Sequence, residues 1–531
     1  MNYNYPNNYI SYSRSDSFDR INTHFCVNKE SYKNVGKEHV LHLTPLLLLY
    51  QDSKMQYWLP IVAALVIATS YVQADDYRVV CYYGSWAVYR PGNGKFDVEN
   101  IDPTLCTHLI YTFVGVSSEG GVTILDSWNE IDKGALSRFN ALKQISPSAK
   151  TMVAIGGWNA GSSTFSQVVN NDGLRAKFVD NIVNFVKQYG FDGFDLDWEY
   201  PTQRGGAAGD KAAFAKLVSE LRPKFDANGF ILSAAVSAGQ STIDAAYDVP
   251  ALAKYLDFIN IMTYDLHGSW DSTTGENAPL YAGPADRTAD SATLNVDFAI
   301  NYWIQKGAPA KKLNVGMGTY GRSFTLQNTK STGIDAAITG PGQAGPYTRE
   351  AGTLGYNEIC EQGNQWTVYW NDEQKVPYAV NGNQWVGFDN ADSLKLKAQY
   401  VKDKGLGGAM IWSVETDDFL GVCGAGKFPL LIAINSVLTG KTSGTETSIK
   451  ATAAPSQVAE PVQATTVAPA PAPASGVCTR SGYVRDPSNC QVFYYCDNVN
   501  GQYSISQFNC PAGTVFDTSL NVCNYPDAVQ C

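Results

Sequence analysis

Residues 191–201 read FDGFDLDWEYP, an apolar and aromatic run that contains the four carboxylates Asp192, Asp195, Asp197 and Glu199. An unpaired carboxylate in a protein core costs several kcal/mol, which is comparable to the net stability of a whole domain. If residues 193–197 form a strand, successive side chains point to opposite faces. Asp195, Asp197 and Glu199 then share one face, and Asp192 lies on the other. The stretch therefore predicts a buried strand with three carboxylates facing the same way.

The strand belongs to a repeating pattern between Asp75 and about Leu438. Short β-branched or aromatic runs alternate there with amphipathic stretches, which is typical of a parallel α/β fold. The predicted strands are Arg78–Tyr83, His108–Val114, Thr151–Ile155, Gly193–Asp197, Ile231–Val236, Phe258–Met262, Leu313–Met317 and Ala409–Trp412. Eight strands with intervening helices predict a (β/α)8 TIM barrel. Glu199 then follows the fourth strand, at the barrel end where such enzymes hold their catalytic groups.

The interval between the seventh and eighth predicted strands is too long for one helix. Residues 323–390 include GPYTREAGTLGYNEIC and WTVYWNDEQKVPYAVNGNQWVGF, which are rich in strand-forming residues and glycine. We expect an inserted α+β subdomain that forms one wall of a groove.

Composition limits the partners of the chain. Its 531 residues are 17% charged and carry a formal net charge of -11, with no basic stripe. Nucleic-acid binders collect Lys and Arg on one face, so we expect no nucleic-acid partner and a neutral or cationic substrate.

The cysteines indicate an oxidising compartment. Six of the eleven lie in the last 54 residues, which is typical of a small disulfide scaffold. Cys81, Cys106, Cys360 and Cys423 could form two bridges in the large domain, and Cys26 is left over.

Residues 55–74, MQYWLPIVAALVIATSYVQA, predict a signal peptide that is cleaved before Asp75. An uncleaved membrane anchor is the alternative. Residues 1–54 are rich in Asn, Tyr and Ser and lack periodicity, which predicts an unstructured extension. Because signals begin at the N-terminus, we expect translation to start at Met55 and Cys26 to be absent from the mature chain.

The C-terminal part divides into a linker and a small module. Residues 439–476 form a Thr/Ala/Pro-rich tract that predicts an extended linker. Residues 477–531 contain the six clustered cysteines and predict a disulfide-rich β module, with a hairpin around Asn500–Gly501. Spacing alone leaves fifteen connectivities open.

Three hypotheses explain the acids of residues 191–201. A metal site fits poorly, because the motif lacks His ligands or an EF-hand glycine. A satisfied network of buried acids is the structural alternative. Acid–base chemistry on a sugar is the favoured interpretation.

The stretch FDGFDLDWEYP resembles the DxxDxDxE signature of glycoside hydrolase family 18, the chitinases of animal and arthropod type. Further motifs resemble that family in the same order over residues 75–438, namely CYYGSWAVYRPG, AIGGWN, MTYDLHGSWD, GTYGRSF and GAMIWSVETDDF. The family pattern Ser-x-Gly-Gly reads Ala154-Ile155-Gly156-Gly157 here, and we expect little effect from the difference.

The resemblance implies a role for each acid. Glu199 is expected to be the general acid that protonates the glycosidic oxygen. Asp197 is expected to orient the substrate's acetamido group and to stabilise an oxazolinium intermediate, with Asp195 sharing a proton behind it. Tyr264 is expected to bond the acetamido carbonyl. The implied reaction is retaining and endo-acting, without cofactor or metal. A chitinase-like lectin and an endo-β-N-acetylglucosaminidase are the alternative functions.

The resemblance also implies the residues that bind the sugar. They are Tyr82, Trp86, Trp158, Asn159, Met262, Asp265, Trp270, Tyr320, Arg322 and Trp412. Flat aromatic rings stack on the apolar faces of pyranose units. Trp412 is expected beneath the sugar at the point of cleavage.

Disulfide pairings follow from resemblance as well. Animal members of the family imply Cys81 with Cys106 and Cys360 with Cys423. The tail resembles peritrophin-A chitin-binding domains, carbohydrate-binding module family 14, which implies the pairs Cys478–Cys496, Cys490–Cys531 and Cys510–Cys523. Candidate chitin contacts in the tail are Tyr494, Tyr503, Phe508 and Phe516, some of which must fill its small core. We expect a secreted, extracellular monomer that binds chitin and chitooligosaccharides and does not insert into membranes.

Overall fold

The computed structural model describes residues 77–284, 286–443, 482–499, 502–510, 515–518 and 522–524. The predicted N-terminal extension, the signal peptide and most of the linker lie outside these residues. The chain divides into two compact units, one ending at Glu446 and one beginning at Thr447. Within the described ranges, no helix combines the length and the apolar character needed to cross a bilayer.

A closed barrel of eight parallel strands forms the first unit. The strands are β1 (Arg78–Gly84), β2 (His108–Val116), β4 (Lys150–Gly156), β5 (Gly193–Asp197), β6 (Ile231–Ser237), β7 (Phe258–Met262), β8 (Leu313–Gly318) and β15 (Gly408–Trp412). The short strand β3 (Val122–Thr123) pairs antiparallel with β2. Because β1 pairs with both β2 and β15, the sheet closes on itself. The predicted TIM barrel is confirmed, and each predicted strand matches an observed one to within two residues.

Helices surround the barrel. They are α1 (Ala135–Ala141), α2 (Ser163–Val169), α3 (Asp172–Tyr189), α4 (Asp210–Asp226), α5 (Gln240–Ala246), α6 (Val249–Tyr255), α7 (Val296–Gln305), α9 (Ala391–Asp403) and α10 (Pro429–Leu438). In α3, the Asn171 side chain caps the first turn and Gly190 ends the helix in the left-handed region. Its apolar stripe, which includes Phe178 and Ile182, is buried. The helical spacing of the apolar residues and the two capping residues therefore both fit the bounds of α3, as the sequence predicts.

Strand side chains divide between two cores. On β1, Val79 and Cys81 pack in the large layer between strands and helices, whereas Val80 and Tyr82 face the barrel interior. The interior is filled by a smaller apolar cluster together with buried polar side chains such as Asp195. The two-residue period of the strands thus decides which side chains face the barrel interior and which face the helices.

The predicted insertion is a mixed α+β subdomain. Its strands are β9 (Tyr320–Leu326), β10 (Ile338–Pro341), β11 (Thr353–Gly355), β12 (Thr367–Asn371), β13 (Val376–Asn381) and β14 (Gln384–Gly387), with helix α8 (Tyr356–Glu361). They form an antiparallel sheet in the order β10-β9-β14-β13-β12, with β11 on β9. The sheet begins at Tyr320, three residues before the predicted boundary, so Tyr320 and Arg322 belong to its first strand.

Two disulfides join segments of the first unit. Cys81 bonds Cys106 across 25 residues of sequence, and Cys360 bonds Cys423 across 63. Both pairings agree with the prediction. The second bridge ties α8 of the insertion to the segment that precedes α10.

The second unit is a small β module. Strands β16 (Gly482–Arg485), β17 (Val492–Val499) and β18 (Gln502–Asn509) form one antiparallel sheet, and β19 (Val515–Asp517) pairs with β20 (Val522–Asn524). Val499 lies opposite Gln502, as the predicted hairpin requires. Cys490, Cys496 and Cys510 are disulfide-bonded. Cys478 and Cys531 lie outside the described residues, as does the side chain of Cys523, so the predicted pairing of the tail stays a prediction.

Two of the four aromatic side chains suggested as chitin contacts are buried in this module. Phe516 is 1% exposed and stacks on Phe493 at 4.1 Å, and Tyr494 is 5% exposed. The Tyr494 hydroxyl donates to Asp486 Oδ2 at 2.7 Å. These two rings therefore belong to the core of the module. The side chains of Tyr503 and Phe508 lie outside the described part of the chain.

Candidate active site

Strand β5 carries the acids to the C-terminal end of the barrel with the predicted parity. Phe194 and Leu196 pack outward against the helices. Asp195 and Asp197 are 0% and 3% exposed in the barrel interior, and Glu199 is partly exposed beyond the strand end. Asp192 stands apart, because its carboxylate accepts a hydrogen bond from the Thr151 amide and pairs with Lys143 at 3.1 Å.

Asp195 is held by two hydroxyl groups. Tyr82 donates to Oδ2 at 2.8 Å and Ser233 donates to Oδ1 at 2.5 Å. Burial raises the pKa of Asp195 to about 6, while the two hydrogen bonds oppose this rise. Because each oxygen has a hydroxyl partner, the predicted proton sharing with Asp197 stays a prediction.

A series of hydrogen bonds between buried side chains holds the Tyr82 hydroxyl in place. Asn260 Nδ2 donates to the Tyr82 hydroxyl at 2.9 Å, and Asn314 Nδ2 donates to Asn260 Oδ1 at 2.9 Å. Arg78 Nε in turn donates to Asn314 Oδ1 at 3.0 Å. These hydrogen bonds were not predicted from the sequence. Asn260 and Asn314 occupy inward positions of two predicted strands. An amide there, in place of an apolar residue, is the feature of the sequence that could have revealed these hydrogen bonds.

Asp197 is buried like Asp195 but lacks the hydroxyl partners that hold Asp195. Its Oδ1 has no hydrogen-bond partner among the described residues. Burial raises its pKa well above the ordinary value, and the charges of Glu199 and Asp195 raise it further. Its backbone carbonyl accepts a hydrogen bond from the Gly157 amide at 2.9 Å. The unpartnered oxygen is available to an N–H donor of a ligand.

Glu199 has the pKa of a group that can give up a proton near neutral pH. Burial raises its pKa to about 7, and the charge of Asp265 adds to the rise, while Tyr200 and Arg204 oppose it. Arg204 donates to the backbone carbonyls of Glu199 and Trp158, and its guanidinium lies 3.5 Å from the centre of the Trp158 ring. The arrangement suits a general acid.

The opposite wall combines the barrel with the insertion. Asp265 Oδ1 accepts hydrogen bonds from the Tyr320 hydroxyl at 2.5 Å and from Arg322 Nε at 2.7 Å. Tyr264 is buried, and its hydroxyl lies 3.6 Å from Met410 Sδ. Asn277, which the sequence analysis missed, accepts from the Asp265 amide and donates to the Tyr320 carbonyl. Strand β9 of the insertion thus helps to shape the site.

Three of the six aromatic residues expected to bind the sugar are exposed, whereas Tyr82 and Tyr320 are only 1% and 6% exposed. Trp86, Trp158 and Trp270 are 41%, 59% and 59% exposed, and Trp412 is partly buried beside Tyr82 at a ring distance of 5.6 Å. Met262 is partly buried against the interior cluster, and Asn159 is exposed in the turn after β4. Contacts connect Trp86 and Trp412 through Tyr82 to Asp195, and Arg204 connects Trp158 to Glu199. Sugar binding by these residues stays a prediction.

Three further aromatic residues of the first unit make ring contacts near its surface. Tyr89 and Trp128 are 57% and 49% exposed, with ring centres 5.9 Å apart. Phe113 stacks on Trp86 and lies 5.9 Å from Trp412. None of these three residues was predicted from the sequence as a site residue. The motif CYYGSWAVYRPG contains Tyr89, so that residue could have been found from the motif.

Potential metal ligands are sparse in the described ranges. Three ligand atoms lie within 4.8 Å of one another only in the group Cys360, Asp418 and Cys423. The two cysteines form a disulfide, so they do not offer thiolates. The acids of β5 do not form such a group.

Comparison with protein families finds two matches. Residues 78–417 match the model described as Glycosyl hydrolases family 18, and residues 478–531 match the Chitin binding Peritrophin-A domain. An Endochitinase of Manduca sexta is 36% identical over 89% of this chain and 98% of its own length. Chitotriosidase-1 of Mus musculus is 38% identical over 84% of this chain and 95% of its own length. The chain spans 18% of Probable chitinase 10 of Drosophila melanogaster, at 40% identity over 77% of this chain.

Solved structures agree with the barrel. The Group IV chitinase of Ostrinia furnacalis in complex with allosamidin is 45% identical, with a TM-score of 0.68 over 69% of this chain and 100% of that chain. Human YKL-39, described as a pseudo-chitinase with retained chitooligosaccharide binding properties, is 41% identical, with a TM-score of 0.64 over 68% of this chain and 99% of that chain. By its motifs, its barrel and these matches, the chain belongs to glycoside hydrolase family 18 and ends in a peritrophin-A chitin-binding domain.

Proposed function

We propose that this protein is a secreted chitinase that hydrolyses β-1,4 bonds between N-acetylglucosamine units, acting within the chain and with retention. The observation that carries the proposal is Glu199, whose pKa is raised to about 7 at the C-terminal end of β5, above the unpartnered oxygen of Asp197.

The proposed reaction uses the substrate as its own nucleophile. Glu199 gives its proton to the glycosidic oxygen, and the C1–O bond breaks as the acetamido oxygen of the same sugar attacks C1. Asp197 accepts a hydrogen bond from the acetamido N–H and stabilises the oxazolinium ion. Water then attacks C1, Glu199 takes back a proton, and the product keeps its configuration. Family 18 is an exception to the rule of two catalytic carboxylates in this respect.

Neighbouring residues place the sugar for this reaction. Tyr264 is proposed to donate its hydroxyl to the acetamido carbonyl oxygen. Asp265, which follows β7, and Arg322 on β9 are proposed to bind the sugar from the opposite wall, and Trp412 is proposed to stack beneath it. Tyr82 and Ser233 position Asp195 behind Asp197 through the hydrogen bonds described above.

Two other functions share this groove. A chitin-binding lectin would keep the groove and lose the chemistry, as human YKL-39 illustrates, a pseudo-chitinase with retained chitooligosaccharide binding properties. Glu199, Asp197, Asp195 and Tyr264 are all present here, which favours an enzyme. An endo-β-N-acetylglucosaminidase that cleaves N-glycans would use the same acids, and the chitin-binding domain favours chitin instead.

The stereochemistry of the product tests the mechanism. Proton NMR spectra recorded in the first minutes of chitohexaose hydrolysis should show the β-anomer before mutarotation, and a fully deacetylated hexamer should remain uncut. Initial release of the α-anomer would contradict retention. Equal cleavage of the deacetylated hexamer would contradict the role of the acetamido group.

Secretion remains part of the proposal. A signal peptide over residues 55–74 and disulfides in both units support export to an oxidising compartment. N-terminal sequencing of the secreted protein should begin at Asp75. A mature N-terminus within residues 1–54 would show that the predicted start at Met55 is wrong.

A further inference from the structure

Strand β12 presents an apolar surface that the catalytic groove does not use. It is an edge strand of the insertion sheet and, among the described residues, pairs only with β13. Val368 and Trp370 are 56% and 42% exposed and lie on one face of the strand, because side chains two residues apart share a face. Tyr369 is equally exposed at 42% but lies on the opposite face, where it stacks on Tyr378.

Trp370 forms one wall of an open cleft on the outside of the barrel. The cleft holds about 450 Å³, and its other lining residues are Leu396 and Val437 with Asp392, Lys395 and Gln399. Four of these lie on α9, and Val437 lies on α10. An indole wall next to aliphatic side chains, with polar side chains beside them, is the usual composition of a small-ligand site, and the volume falls within the usual range. No residue of the cleft belongs to the groove around Glu199.

The charges in the cleft favour a neutral occupant. Lys395 pairs with Asp392 at 3.3 Å, and Gln399 donates to Asp403 at 2.8 Å. The lining therefore carries no net charge, although the whole chain carries a formal charge of -11. An ionic ligand would find no unpaired counter-charge among the lining residues.

The exposed area favours a small ligand over a second copy of the chain. The exposed large apolar side chains here are Val368, Trp370 and Leu396. A whole aromatic side chain offers about 150–250 Å², so Trp370 at 42% exposure presents roughly 60–105 Å², and the three side chains together present less than about 350 Å². A stable protein interface needs about 800 Å² from each partner.

The groove of the active site shares one feature with the cleft, an exposed indole with polar side chains nearby. There Trp158 and Trp270 are exposed indoles, each accompanied by a polar cationic side chain, Arg204 or Arg322. Flat indoles suit the apolar faces of pyranose rings, and polar side chains beside them suit hydroxyl and acetamido groups.

We propose that the cleft between Trp370 and α9 is a second carbohydrate-binding site that holds a short stretch of a neutral, N-acetylglucosamine-containing chain. The proposal deepens the proposed function and rests on it for the identity of the sugar. A site on the outer wall holds polymer without blocking the groove, so it adds to avidity on an insoluble surface.

Hydrogen exchange on the full-length chain tests the site. The probe is chitohexaose, and the protein carries Glu199→Gln so that the probe stays intact. At a chitohexaose concentration ten times the dissociation constant of the cleft, amides of β12 and of residues 391–400 should exchange roughly tenfold more slowly. Trp370→Ala should abolish this protection and leave the protection of the groove unchanged. Tyr369→Ala is the matched control, because it removes an equally exposed ring from the other face, and it should keep the protection.

A second substitution and a dilution series make each outcome decisive. Trp370→Tyr retains a ring and should retain most of the protection, which separates stacking from a folding defect. Absence of protection in β12 and α9 at saturation of the groove would overturn the site. Protection that persists in Trp370→Ala, or that grows with protein concentration without sugar, would also overturn it, the latter in favour of self-association. Hydrolysis of chitohexaose by the wild type is a separate readout, so failure of the proposed function is recognised independently.

Discussion

The carboxyl of Glu199 stands at the end of β5 with a pKa raised to about 7, chiefly by burial. A general acid must hold its proton to act, so activity should be present below this pKa and lost as pH rises through it. We expect kcat/KM for chitohexaose to fall above about pH 7, tenfold per pH unit. The charge of Asp265 contributes to the raised pKa, so Asp265→Asn should move this limb to lower pH. A limb that stays in place or moves upward in the variant would contradict the assignment.

Asp192 and Asp197 lie on the same stretch of sequence, and we expect Asp192 to be structural and Asp197 to be catalytic. Asp197→Asn should lower kcat by about 10²–10⁴, because it changes the group that meets the acetamido N–H. Asp192→Asn should leave kcat within roughly threefold of the wild type. It should cost about 1 kcal/mol of stability, since it weakens the bonds to Lys143 and to the Thr151 amide. Steady-state kinetics measure kcat of the two variants, and denaturant midpoints measure their stability. Similar losses of activity in both variants would contradict the assignment of one structural and one catalytic acid.

The acids could be sorted from the sequence because strand parity depends only on a period of two. The hydroxyl partners of Asp195 could not be predicted in this way. Tyr82 and Ser233 come from strands far apart in sequence, and their contact depends on the stagger of the strands around the closed barrel. Tyr494 and Phe516 show the same limit, because composition did not reveal which rings fill the core of the tail.

Strands β4 and β5 approach each other closely at the site. Gly156 has φ of +112°, and a Cβ there would lie 2.1 Å from the carbonyl oxygen of Asp197. Gly156→Ala should therefore lower stability by about 3 kcal/mol or more and abolish turnover. Thermal unfolding and chitohexaose hydrolysis measure both effects. Gly239→Ala is the control, since its nearest neighbour lies at 3.6 Å and its φ is -72°, and wild-type behaviour of Gly156→Ala would contradict the predicted clash.

The order of elements followed from the sequence more fully than their boundaries. Ala154, which replaces the family serine, is 0% exposed in the interior cluster with Tyr82 and Met410, as a small apolar side chain should be. The start of the insertion was missed by three residues, because Tyr320 and Arg322 belong to a strand that follows β8 after a single residue. Without a turn signal between them, the sequence gives no boundary there.

At the scale of the whole molecule, a Thr/Ala/Pro-rich stretch of sequence, predicted to be a linker, lies between the family 18 domain and the peritrophin-A domain. Deleting residues 440–531 should slow hydrolysis of crystalline chitin by roughly tenfold or more, because the module raises the effective concentration of the barrel at the polymer surface. Turnover of chitohexaose should stay at the wild-type level, because the groove is untouched. Equal losses on both substrates would show that the tail acts on the groove itself. Rates of reducing-end release on the two substrates make the comparison.

The most direct test is hydrolysis of chitohexaose by the full-length wild type and by Glu199→Gln, with binding of the same hexamer measured in parallel. The amide keeps the size of the side chain and removes its titratable proton. The wild type should cleave the hexamer, and the variant should lose about 10²–10⁴ of the rate while binding the hexamer as tightly. A wild type that binds the hexamer without cleaving it would contradict the proposed function, and a variant with an undiminished rate would contradict the role of Glu199.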